Sequence, residues 1–340
     1  MHEDKRRIPA GRDPGARLDA DGTVPELKRT VIDPIKSKDE AMAAVAPPSP
    51  TDNTPVTIRA IRPQDVEACA RAAYAAHTAV AAAHNVPCEL PSIEFSVGMI
   101  GNKVKDPNAV GFVAERGEQI VGSIFLNTFP GTPVAAIGPL TVDPAAEGSA
   151  VGHRLMAAAL DEARARAFER VRLVQSPSHL RSLALYAKLG FDVREPLILI
   201  GGKPAAEKIQ GRTVRAATTD DVAKCDHLCS DVHGFARSAE LATAIAQHAA
   251  LAVEHAGRIT GYSTGLGLRG HAVGETTDDL KALIGSAPAI MGPGFFVPVR
   301  NGELLRWLLD RGFRANWPAT LMTMGPYQEP AGAFLPSIAF

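Results

Sequence analysis

Two stretches of the chain combine residue types at spacings that could do chemistry. The first, Glu147-Gly148-Ser149-Ala150-Val151-Gly152-His153, is a glycine-containing turn that feeds an apolar-striped segment. A helix starting there offers unpaired N–H groups and the positive end of its dipole, which suits an anion. The second is His179-x-x-Ser182-x-x-Leu185-Tyr186-x-Lys188-x-Gly190-Phe191. Its Tyr186 carries a phenol of ordinary pKa about 10, a proton donor at neutral pH. The competing reading of Tyr186 is a helix tyrosine that only packs its ring.

The elements that position these residues follow from period. Val134–Val142 reads as a strand. Val151, Leu155 and Ala159, with Met156, Leu160 and Ala163, put one apolar stripe on a helix over 150–166. Val171–Gln175 is a β-branched run of strand length. A second helix led by Leu183 stops at Gly190, which can take the left-handed C-terminal cap. The expected order is strand, turn, helix, strand, helix, strand. Gly138-Pro139 interrupts the first of these strands, because proline cannot donate to a ladder and a strand glycine marks a bulge or close approach.

This constellation resembles the GNAT superfamily of acyl-CoA-dependent N-acetyltransferases. The family's Arg/Gln-x-x-Gly-x-Gly/Ala loop after a Val-x-Pro strand end is similar to Val142-x-Pro144 followed by Glu147 to Gly152. Its later motif, Asn-x-x-Ala/Ser-x-x-Leu-Tyr-x-Lys-x-Gly-Phe, is matched from His179 to Phe191. The resemblance implies acetyl-CoA as cosubstrate, with its pyrophosphate on Gly148, Ser149, Ala150, Val151, Gly152 and His153. Further contacts would come from His179 and Ser182. It also implies a fourth strand that parts from the fifth, so that Leu140, Thr141 and Val142 offer backbone to the pantetheine and oxyanion. Tyr186 would then protonate a leaving thiolate of conjugate pKa about 8.5. Two departures weaken the loop: Glu147 sets a like charge beside the anion, and Ala150 costs about 1 kcal/mol if it must be left-handed. His153, Arg154 and Arg181 could compensate. No base is visible on the fourth strand, where Ala136, Ile137 and Gly138 stand; Glu94, His84 or a water chain are the alternatives.

The rest of the chain bounds this reading. Its 340 residues, 46% hydrophobic with net charge −1, make about two domains and suggest neither nucleic acid nor an anionic membrane surface as partner. No run reaches the roughly 18 apolar residues of a membrane span, and the charged N-terminus is not a secretory signal. A cytoplasmic location is expected, with Cys69, Cys88, Cys225 and Cys229 as buried free thiols. Residues 1–54 read as a Pro-rich disordered tail, 55–205 as the acetyltransferase domain, and 211–340 as a degenerate second copy.

The second copy is legible in Thr57-x-Arg59-Ala60 with Asp65 recurring as Thr213-x-Arg215-Ala216 with Asp221, an offset of 156. Gly190-Phe191 recurs as Gly312-Phe313, an offset of 122. The hairpin from Val113 to Gly122 is matched with Val253 to Gly261. The fold class is α/β (α+β): two GNAT-like domains, each a mixed twisted sheet with helices on both faces. The second copy lacks the loop, has Leu308 where Tyr186 stands, and starts its helix from Glu275-Thr276-Thr277 with a Thr cap. The apolar ending, 332–340, should dock on the body.

Gly261-Tyr262-Ser263-Thr264-Gly265 fits a nucleophile elbow but lacks the helix that must follow. His271 and Glu275 are two groups without a third, so no metal is expected. The function expected is N-acyl transfer to a small-molecule amine or amino-acid-like acceptor, with homo-oligomer formation open. The alternative is a non-catalytic acyl-CoA or small-ligand binding module.

Overall fold

The computed structural model describes residues 54–339, apart from 86–87 and 205; the tail expected over 1–54 lies almost wholly outside them. The first half runs β1 (Val56–Ala60), α1 (Val66–His84), α2 (Ile93–Lys105), β2 (Ala109–Arg116), β3 (Gln119–Thr128), β4 (Val134–Val142), α3 (Val151–Ala165), β5 (Arg170–Gln175), α4 (Leu180–Lys188) and β6 (Asp192–Gly201). The second half repeats this order as β7 (Thr213–Ala216), α5 (Val222–His233), α6 (Ser238–Ala246), β8 (Leu251–His255), β9 (Arg258–Ser263), β10 (Ala272–Gly274), α7 (Thr277–Ser286), β11 (Phe295–Pro298), α8 (Gly302–Asp310) and β12 (Arg314–Met324). One strand, β13 (Ala333–Leu335), is added at the end.

The sheets do not divide where the halves do. An eight-stranded sheet has the order β1-β2-β3-β4-β5-β12-β6-β11, and a five-stranded one the order β13-β10-β9-β8-β7. β12 of the second half thus lies between β5 and β6 of the first, and β11 is the next strand out. Among the strands of the described residues only β4 and β5 pair in parallel, and the other strand pairs are antiparallel. The register shows a local pseudo-dyad. Leu197 pairs with Ala319, its own counterpart 122 residues on, and the flanking pairs Pro196–Thr320 and Ile198–Pro318 exchange under the same offset. Val174–Leu321 likewise maps onto Phe296–Leu199. Each half therefore donates its last strand to the other.

Other details repeat. Arg59 holds Asp65 through two hydrogen bonds of 2.7 and 3.1 Å and Glu115 through two of 2.9 and 3.3 Å. Arg215 holds Asp221 at 2.6 and 2.9 Å and Glu254 at 2.9 Å. The hairpin correspondence shifts by one residue from the sequence alignment: Ala114, not Val113, faces Gly122 as Val253 faces Gly261. Both hairpins slip register at the following Glu, a bulge that sequence spacing does not reveal. Gly190 and Gly312 are left-handed, and each closes the same six-residue C-cap: Phe191 N donates to Tyr186 O, and Phe313 N to Leu308 O.

The core follows the apolar stripes. Val151, Leu155, Met156, Ala159, Leu160 and Ala163 of α3 are buried against β3, β4 and β5. α1 and α2 cover the opposite face through Cys69, Ala70 and Ile100 on Val113 and Phe125. Each fully buried large side chain contributes roughly 1.5–3 kcal/mol. Cys88 is half-exposed rather than buried; the other three thiols are buried and free. The apolar ending docks as expected, with β13 pairing along β10.

Candidate active site

β4 pairs with β5 only from Val134 to Ala136, opposite Arg170 to Arg172. Beyond Ala136 the two strands have parted. The cause is local: β3 and β4 slip register between Leu126–Ile137 and Ile124–Leu140, and Gly138 sits at φ 147°, a value closed to most side chains. Asn127 of β3 clasps this bulge, its Nδ2 donating to Ala136 O at 3.2 Å and to Gly138 O at 2.9 Å. Sequence reasoning missed Asn127, since nothing but its register opposite Ala136 marks it. Leu140, Thr141 and Val142 lie on the parted stretch. The Thr141 hydroxyl is turned inward onto Ser123 at 3.1 Å, so its contribution to the gap is backbone.

Behind the gap stands the N-terminus of α3. Its N-cap, Ala150, is left-handed at φ 60°, and no side chain caps the helix. The strain expected from an alanine in that conformation is present, at about 1 kcal/mol. Gly148 is left-handed as well, at φ 81°. Ser149 turns its hydroxyl onto Ala146 O and receives Arg116 Nη2 at 2.9 Å. A Cβ added at Gly152 would lie 3.4 Å from Leu185 and 3.7 Å from Val142, so α3, α4 and the end of β4 come together here. His153 is exposed. Glu147 is ion-paired with Arg181, so the carboxylate is neutralised locally and Arg181 is engaged rather than spare.

His179 stands at the N-cap of α4, with Nδ1 on the Ser182 hydroxyl. Two turns on, Tyr186 is buried (7% exposed), edge-on to Phe191 at 6.2 Å between centroids. Burial pushes its phenol up to about 12, against the pull of a hydrogen bond with Ser182. The phenol therefore stays protonated across the working range. Burial pushes the His179 imidazole down, and Glu147, His84, Arg181 and His77 are close enough to act on it.

His77 and His84 of α1 are thus near enough to the start of α4 for their charges to act on His179. His77 Nδ1 is 3.5 Å from Glu89 Oε2, and burial lowers its pKa below the ordinary value while Glu89 raises it. Of these two histidines only His84 stood among the sequence candidates. The signal for His77 is its seven-residue spacing from His84, two turns along one helix face. Glu94 is in the first turn of α2, with the Ser92 side chain lowering its pKa.

The rival motifs dissolve. Ser263 is fully buried on β9 with no helix after it. His271 is buried on Tyr262, at 3.0 Å, while Glu275 pairs with Arg258. Among the described residues no three His, Cys, Asp or Glu side chains are grouped to hold a metal, and no helix is long and apolar enough to cross a membrane.

Residues 79–191 match the model of the acetyltransferase (GNAT) family. This segment is a GNAT domain. It contains β4, the gap, the uncapped α3 and the Tyr186 helix. A GCN5-related N-acetyltransferase of Sphaerobacter thermophilus is 15% identical over 82% of this chain and 98% of its own, with a TM-score of 0.55. A candidate acetyltransferase of Pyrococcus horikoshii is 16% identical over 82% of this chain and 92% of its own, with a TM-score of 0.60. Both likenesses run over the two halves, and at this identity they show the fold. The PaiA N-acetyltransferase of Thermoplasma acidophilum, solved with coenzyme A, is 18% identical over 42% of this chain and 92% of its own, with a TM-score of 0.37. No curated protein sequence matches the chain significantly.

Proposed function

We propose that the chain transfers an acyl group from acetyl-CoA, or another acyl-CoA, to the nitrogen of a small amine or amino-acid-like acceptor. The observation that carries this reading is the juxtaposition of a parted strand pair with an uncapped helix N-terminus. β4 past Ala136 has no ladder partner on its β5 side, and α3 begins without a side-chain cap. A pyrophosphate suits the second, and an extended amide-bearing arm suits the first. The residues that would hold the cosubstrate are Leu140 to Val142 and the turn Gly148 to His153, with His179 and Ser182 at the start of α4. When bound, it supplies the activated acyl group.

The chain's own groups then have distinct roles. A β4 main-chain N–H near Leu140 to Val142 meets the oxyanion. The Tyr186 phenol, held protonated by burial, donates toward the departing sulfur. His77, kept neutral at pH 7 by burial and oriented by Glu89, takes the proton that the attacking amine loses. His77→Gln should therefore flatten the acid side of the kcat/KM profile.

Calorimetric titration with acetyl-CoA, followed by thiol release in a panel of primary amines and amino-acid amides, tests the proposal. Binding with amine-dependent thiol release is expected. Binding with no release across the panel would favour a non-catalytic binding module, and no binding would refute both.

A further inference from the structure

The face of the sheet opposite α3 and α4 carries an amine of the chain's own. Lys103, in the last turn of α2, donates from Nζ to Asn127 Oδ1. Asn127 in turn holds the carbonyls of Ala136 and Gly138. The ammonium is thus one side chain away from the point where β4 leaves β5. Asn127 shares the sheet face of Phe125, the face that α1 and α2 cover. The α3 turn and α4 lie on the other face, so an acyl group passed through the gap from their side emerges toward Lys103.

We infer that Lys103 is a self-acylation site: with acetyl-CoA bound and no acceptor present, Nζ takes the acetyl group itself. The neutral amine attacks the thioester carbonyl carbon. The C–N bond forms, the C–S bond breaks with its electron pair going to sulfur, and the nitrogen's surplus proton goes to the thiolate. The products are Nε-acetyl-lysine and free thiol. This inference rests on the acyl-CoA reading of the site.

The surroundings of Lys103 favour the neutral amine. Burial comes first and the nearby Arg269 second in pushing it down to about 8, while Asp106 at the end of α2 pulls weakly the other way. Its direct partner is the neutral amide of Asn127, whereas Lys281, on α7, is held by Asp278 and Glu303 at 2.9 and 2.6 Å. At pH 8 about half of such an amine is neutral, against well under a hundredth of an ordinary lysine.

The test uses the full chain with acetyl-CoA alone, followed by intact mass and peptide mapping. The expected result is one acetyl group per chain, on Lys103, entering at a rate that rises with an inflection near pH 8. Lys103→Arg keeps the cation and should lose that fast step, with its melting temperature checked beside the wild type. Asn127→Ala, which leaves the lysine in place, should slow the step and spread the label. Acetyl groups scattered over surface lysines at equal rates in wild type and Lys103→Arg would overturn the inference. So would an unlabelled chain that binds acetyl-CoA by calorimetry. Absence of acetyl-CoA binding would instead bring down the acyl-CoA reading, and this inference with it.

Discussion

The two halves share an element order and a pseudo-dyad, yet one keeps a gap open and the other fills it. In the first half β4 runs nine residues and parts from β5; in the second, β10 is three residues long and β13 lies along its free side. α3 begins bare at a left-handed Ala150, whereas α7 begins with a capping box. There the Asp279 carboxylate accepts Thr276 N at 2.9 Å, Thr260 Oγ1 at 2.7 Å and Arg212 Nε at 2.7 Å. A Cβ at Gly261 would meet the Asp279 Cβ at 3.2 Å where one at Gly122 would meet Leu155 and Val151 at 3.1 and 3.3 Å, so Asp279 stands where the first half has apolar side chains. A helix N-terminus can be satisfied by an internal carboxylate or an external anion, not both at once. The comparison teaches that capacity for a ligand here depends on which backbone groups the chain leaves for something else to satisfy.

The most severe way to break the comparison is to separate its members. Residues 53–208 alone would lose β12 and β11, stripping β5 of one neighbour and β6 of both, and exposing the apolar surface of Leu197 and Leu199. We expect a poorly soluble or rapidly proteolysed product without a cooperative melt. A fragment that melts cooperatively and binds acetyl-CoA would show that the strand exchange is dispensable.

Next in size is the residue that most separates α4 from α8, Tyr186 against Leu308. Tyr186→Phe removes the hydroxyl and keeps the ring against Phe191. Losing a general acid costs roughly 10²–10⁴ in rate, so turnover with any working amine should fall by that factor while acetyl-CoA affinity holds. Near-normal turnover would make Tyr186 a packing residue, like its counterpart.

Much of this was legible from spacing. β4, α3 and α4 fall where apolar period and turn residues put them, and the Gly190 cap repeats at Gly312 because both obey the same local rule. The offset of 122 was visible in the sequence as well. What it could not show is that equal offsets in β5, β6, β11 and β12 mean exchanged strands, since a strand's period says which face it buries and not which neighbour it pairs with. Asn127 and Lys103 were illegible for the same reason: their role arises from cross-strand register and helix placement. For Glu147 the sequence names three cations that could compensate, His153, Arg154 and Arg181; that Arg181, 34 residues on, is the one paired with it comes only from folding.

The Arg59 and Arg215 networks offer a comparison in which the halves should behave alike. Each leaves a buried carboxylate, Asp65 or Asp221, dependent on one guanidinium. Arg59→Met and Arg215→Met should each cost on the order of 2 kcal/mol in denaturant unfolding. Both carboxyls are held below the usual range, first by their arginine hydrogen bonds. A depressed folded pKa gives stability present above the unfolded value of about 3.9 and lost as pH falls through the folded one. The gap between each variant and the wild type should thus begin to narrow as pH falls below about 3.9 and close only below the folded pKa. A large difference between the two at neutral pH would mean that only one network supports its half.

The smallest effect expected concerns the charge at the mouth of the first-half helix, where the second half has Asp279. Glu147 and Arg181 form an exposed pair, and such pairs contribute about 0–1 kcal/mol to stability. Glu147→Gln should therefore leave the melting temperature nearly unchanged. It does, however, remove an anion beside the proposed pyrophosphate turn and releases a guanidinium there. Acetyl-CoA binding should tighten about three- to tenfold at low ionic strength, and the gain should vanish near 1 M salt, where the screening length is about 3 Å. Arg181→Gln makes the opposite change, leaving the carboxylate unopposed, and should weaken binding by a similar factor with the same salt dependence. Opposite shifts would place the pair within electrostatic reach of the bound anion. Equal affinities for all three proteins at low salt would show that the pair only ties the turn to α4, and that α3 alone supplies the field.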